Sequence, residues 1–109
     1  MSTNSVKIIS DEQIHLEELL NLLEKQISFA RQGNVNEIEA LSKQSSSLVG
    51  KIARSGILES PEFKNQRELL RTLYHDLFLA LTAQQADNAK ELSRVRKGKK
   101  TIARYSDNL

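Results

Sequence analysis

The sequence predicts an all-α fold: an antiparallel helical hairpin packed on a long third helix, as in a three-helix bundle or coiled coil. Three observations predict it. Apolar residues recur at spacings of three and four along most of the chain, the mark of a single helix face. Polar residues suited to helix N-caps stand before each periodic stretch. Proline occurs once and glycine four times in 109 residues, too rarely for a sandwich or barrel rich in turns. The length fits one domain. Residues 1–10 read as a flexible arm, 11–105 as a single helical domain and 106–109 as a frayed end.

The first helix is expected over about residues 11–32. Ser10 and Gln13 have capping-box spacing. Asp11, Glu12, Glu17 and Glu18 load its first turns with negative charge, which complements the helix dipole. Leu16, Leu20, Leu23, Ile27 and Ala30 form a heptad seam, and Leu19 and Leu22 widen it enough for two neighbours. Gly33 is placed to stop the helix in a left-handed cap.

The second helix is expected over 35–55, with Asn34 as cap and Glu37 in the capping-box position. Its stripe is Val35, Ile38, Leu41, Ser45, Leu48 and Ile52. Ser45, Ser46, Ser47 and Gly50 are weak helix formers, but they are small enough to admit a close neighbour. Gly56 ends the element. The short connection forces an antiparallel hairpin.

Ser60 and Pro61 open a third helix expected to run to residue 105, serine as cap and proline in the first turn. Leu69, Leu70, Leu73, Leu77, Phe78 and Leu81 make its first portion densely apolar. The stripe turns polar at Gln84 and Asn88 and becomes apolar again at Leu92, Val95 and Ile102. Unbroken, this helix would reach roughly 60 Å against roughly 30 Å for each of the others. Its second half would then overhang the hairpin with an uncovered apolar stripe. Gly98 is the expected hinge.

Charge separates along the chain. The net charge is +2, yet residues 1–93 carry −3 and residues 94–109 carry +5. A basic tail of this kind suits nucleic acid, a membrane surface or an acidic protein. Only Tyr105 offers a ring for base stacking, and no reader motif precedes it, so a nucleic-acid partner is not favoured. The apolar face is too sparse for a membrane-surface helix, and no run is long enough to insert. Arg94, Arg96, Lys97, Lys99, Lys100 and Arg104 therefore read as the charged rim of a protein-binding helix.

Catalytic and metal chemistry finds no support in the residues. Cysteine is absent, which excludes thiolate sites and suits a cytoplasmic location. His15 and His75 stand far apart, and the neighbour Asp76 points about 100° away from His75 around a helix. The serine run lacks a base, and Gly98-Lys99-Lys100-Thr101 matches only the end of a phosphate-binding loop. No enzyme activity and no cofactor are expected.

A family resemblance rests on three features. They are the short hairpin, the turn Arg31-Gln32-Gly33-Asn34-Val35-Asn36-Glu37-Ile38, and a third helix ending Val95-Arg96-Lys97-Gly98-Lys99-Lys100-Thr101-Ile102-Ala103-Arg104-Tyr105. Together, over about residues 12–105, they resemble the flagellar type III export chaperones of the FlgN and FliT type. The resemblance implies a cytoplasmic chaperone for hook-associated or filament-cap proteins. Such a chaperone binds a helical C-terminal segment of its cargo, prevents premature assembly and delivers the cargo to the export gate. On this sequence it implies cargo contacts at Leu81, Leu92, Val95 and Ile102 and export-apparatus docking at Tyr105. A second copy of the chain could fill the stripe instead. The readings that compete with it are a structural coiled-coil subunit and a basic-tailed nucleic-acid-binding regulator.

Overall fold

Among the described residues the chain forms four α-helices, α1 (Asp11–Arg31), α2 (Val35–Ser55), α3 (Lys64–Gln84) and α4 (Ala89–Asp107). The computed structural model describes residues 11–84 and 89–107, without the side chains of Val35, Gln84, Ala89 and residues 105–107. The expected arm and the Ser10 end of the first capping box lie outside the described residues. Described residues form no strand.

The bundle is two antiparallel hairpins laid side by side. Gln26 of α1 meets Ser45 of α2, and Tyr74 and His75 of α3 meet Gly98 and Lys99 of α4. Across the hairpins, Ser42 lies by Glu91 and Arg94, and α2 and α4 advance together from there. Thus α2 runs parallel to α4, and consequently α1 runs parallel to α3. Each helix packs on two others, which is why each carries a broad apolar face rather than a narrow seam. Leu16, Leu19 and Leu23 of α1, Ile38 and Ile52 of α2, and Leu70, Leu77 and Leu81 of α3 are fully enclosed.

The single helix expected over 61–105 is replaced by α3 and α4, folded back on each other. The reason is the stripe itself. In a straight helix Leu92, Val95 and Ile102 would stand in water, and each apolar side chain of this size gains about 1.5–3 kcal/mol on burial. Reversing the chain forfeits a few intrahelical hydrogen bonds, worth only about 0.5–1.5 kcal/mol each when water replaces them. Burial wins, and the joint falls at the polar step of the stripe. Pro61 opens a short 3-10 turn, Pro61–Phe63, ahead of α3. Helix α4 continues to Asp107, past the expected end of the domain.

Local signals set the remaining turns. Gly33 and Gly56 adopt φ of 73° and 81°, a left-handed region where a Cβ would be strained. Asn34 makes no side-chain cap bond, so the second capping box does not form as expected. Between α2 and α3, the buried Arg67 donates to the carbonyl oxygens of Leu58 and Ser60. One guanidinium thereby ties together two carbonyls of a tight connection, in which Ile57–Glu59 and Pro61–Phe63 form 3-10 turns.

Candidate functional site

The residues with the strongest functional claim gather on α4 and in its seat, and the structure places them differently from the sequence expectation. Leu81, Val95 and Ile102 are enclosed at 1%, 4% and 0% exposure, and Leu92 packs half-buried against the same core. The anticipated docking stripe is thus divided between the inner faces of α3, at Leu81, and α4, and the bundle itself occupies both. It is not an open surface. Tyr105 lies in the last turns of α4, and its side chain falls outside the described residues.

The charged rim divides into groups with different jobs. Arg94 is half-buried: its Nη1 donates to Glu91 Oε1 at 2.8 Å and to Ser42 Oγ at 2.7 Å. Arg96 and Lys99 each lie 5.5 Å from the centre of the Phe78 ring, within cation–π range. Lys99 Nζ also lies 3.2 Å from His75 Nδ1, within hydrogen-bond distance. Arg96 and Lys99 thus set their charged ends over one aromatic ring of α3. Lys97, Lys100 and Arg104 are exposed. Described residues thus leave a basic outer surface on an otherwise docked helix.

The contact of α4 with α2 is polar where a bundle would ordinarily be apolar. Glu91 is 3% exposed, and its Oε2 has no hydrogen-bond partner. Ser42 and Glu91 face each other at 3.4 Å. A buried carboxylate held by one half-exposed arginine makes a seam that holds its register but gains little free energy, because desolvation offsets the ion pair. Farther along, Gly98 lies under the Tyr74 ring: a Cβ there would stand 2.7 Å from its Cε1 and Cζ. The expected hinge at Gly98 is therefore a packing site inside a continuous helix. Burial pushes the Tyr74 phenol far above its ordinary range.

Sequence reasoning missed Ser42, Glu91, Tyr74 and Arg67. A polar residue on a helix carries no mark of burial, since its neighbours come from distant segments. The spacing Glu91-Arg94 was the available hint, because three residues along a helix bring the two side chains together. His15 and His75 take no part in a cluster: among the described residues no group of three metal-ligating side chains assembles. No described helix is long and apolar enough to cross a membrane.

Comparison with families of known proteins, with curated proteins and with solved structures found no match to this chain.

Proposed function

We propose that the chain is a helical chaperone or adaptor of the flagellar export class that binds a helical segment of a hook-associated or filament-cap protein. The cell compartment in this reading is the cytoplasm, and Tyr105 is the contact with the export gate. What supports the reading, beside the sequence resemblance, is the construction of α4. It carries the apolar residues the resemblance implies for cargo, it presents basic side chains outward, and it is seated partly through a polar seam. Cargo contact through Leu92, Val95 and Ile102 requires α4 to lift from α2 and α3, so cargo and α4 compete. The competition is balanced: a cargo helix burying three leucine-sized side chains gains about 1.5–3 kcal/mol for each, less its ordering and association costs. The exposed lysines and arginines favour acidic cargo and make its arrival sensitive to salt.

Co-purification with hook-associated and filament-cap proteins tests the reading, using a clamp placed in the polar seam and outside the apolar core. The chain has no cysteine of its own, so Ser42→Cys with Glu91→Cys supplies one pair across the seam. The reduced form is expected to capture cargo, and the oxidised form to lose it. Equal capture by both forms overturns the lifting of α4. Failure of the wild-type chain to capture any of these proteins overturns the assignment itself.

A further inference from the structure

Helices α2 and α4 do not close fully on each other. A groove of about 480 Å³ lies between them, and its cause is legible in the residues. Gly50 and Ala53 of α2 and Gly98 of α4 line it; the Tyr74 ring takes the space beside Gly98, and the small residues of α2 leave the rest unfilled. Tyr74 reaches across from α3 to form the floor together with Val49. Arg54 folds back along α2, its Nη1 3.2 Å from where a Cβ on Gly50 would stand. Lys97 lines the groove from α4, and Arg94 lines it nearer the Glu91 end.

We propose that this groove binds an acidic amphipathic helix from a protein partner, its apolar side chain on the Tyr74 and Val49 floor and its carboxylates on Arg54 and Lys97. Charge complementarity selects the occupant. No carboxylate lines the groove. Arg94 is committed to Glu91, whereas Arg54 and Lys97 have no acidic partner among the described residues. Residues 46–54 and 94–101 cover about two helical turns, roughly 12 Å along the axis. That length matches carboxylates spaced three or four residues apart on one face of a helix. An apolar floor beside cationic walls rejects a basic or uniformly apolar segment, since unpaired buried charge is costly.

The site exists only while α4 is docked on α2. It is thus distinct from the surface beneath α4 and needs no lifting of that helix. A segment bound here stabilises the docked state, and anything that binds beneath α4 must weaken it by the same factor.

The test uses the full chain without cargo. The probe is a short fluorescein-labelled synthetic helix of glutamate and leucine, with a control in which every glutamate is glutamine. Anisotropy and amide chemical shifts are read together. The acidic peptide is expected to bind and to shift the amides of Gly50, Gly98 and Thr101, and the glutamine peptide to bind at least tenfold more weakly. Arg54→Gln with Lys97→Gln should weaken binding at least tenfold with an unchanged circular dichroism spectrum. Gly50→Leu, which fills the groove without altering charge, should weaken it similarly. The proposal is overturned if Arg96→Gln with Lys100→Gln costs as much as the groove pair, because attraction would then be general. It is also overturned if the shifts map elsewhere, if no binding is detected, or if a short oligodeoxynucleotide binds the same residues more tightly than the peptide.

Discussion

Gly98 and Gly50 show how one residue type serves two purposes in neighbouring helices. At Gly98 a methyl group would meet the Tyr74 ring at 2.7 Å, and the ring is itself buried. Gly98→Ala should therefore destabilise the protein by about 1–3 kcal/mol, the usual cost of overpacking, despite alanine's better helix propensity. At Gly50 the nearest obstacle is the tip of the flexible Arg54 side chain. Gly50→Ala should be neutral or stabilising by up to about 1 kcal/mol. Urea titration of both variants checks the contrast, and a comparable loss at both positions would refute it. Tyr74 has its own signature. Unfolded, its phenol ionises near pH 10; folded, burial holds the proton on to higher pH. Above pH 10 the unfolded state releases a proton the folded state keeps, so stability falls with rising pH, by at most about 1.4 kcal/mol per unit from this group. Thermal melts between pH 9 and 11 should show a steeper decline for the wild type than for Tyr74→Phe.

At the scale of elements, the seam between α2 and α4 rests on an asymmetry. Glu91 is the buried member of its ion pair and Arg94 the half-exposed one, with side-chain exposures of 5% and 26%. Removing the arginine strands a carboxylate that already has one unpartnered oxygen. Removing the carboxylate merely returns an arginine to water. Arg94→Ala should accordingly cost about 2 kcal/mol, below the cost of breaking a fully buried pair because water can reach this one, while Glu91→Met should cost less than about 1 kcal/mol. Equal losses in chemical denaturation would show that the pair acts as a simple surface contact. Elsewhere the elements follow ordinary rules: left-handed glycines stop α1 and α2, and buried leucines define their inner faces. Those features were legible in the sequence because they depend on spacing within one segment. Glu91 and Ser42 were not, because nothing local distinguishes a buried polar residue from a solvated one.

For the whole molecule the decisive feature is unequal commitment of the helices to the core. Helix α1 contributes Leu16, Leu19, Leu23, Ile27 and Ala30 to it, whereas α4 contributes Val95 and Ile102 with Leu92 at the edge. An element with fewer buried apolar contacts opens at lower free energy. Native-state hydrogen exchange should therefore show amides of α4 exchanging faster than those of α1 and α3, by a sub-global opening that leaves α1 protected. If α4 is protected as strongly as α1, the release of α4 required by the proposed chaperone function is too costly to operate. The same comparison separates a releasable helix from a permanent structural one, in which all four helices would open together.

By itself the sequence determined the all-α class, the first hairpin and the basic character of the last helix. Each of these is written in local spacing, capping residues or charge order. It also carried the polar step at Gln84 and Asn88, but not its meaning. Gln, Ala and Asn there permit a continuous helix as readily as a turn, and the apolar phase persists across them. Whether Leu92, Val95 and Ile102 form an open docking stripe or a buried face depends on what stands opposite them. Only the tertiary structure decided that, because burial of an apolar stripe is a property of two surfaces, and the second surface lies many residues away in the chain.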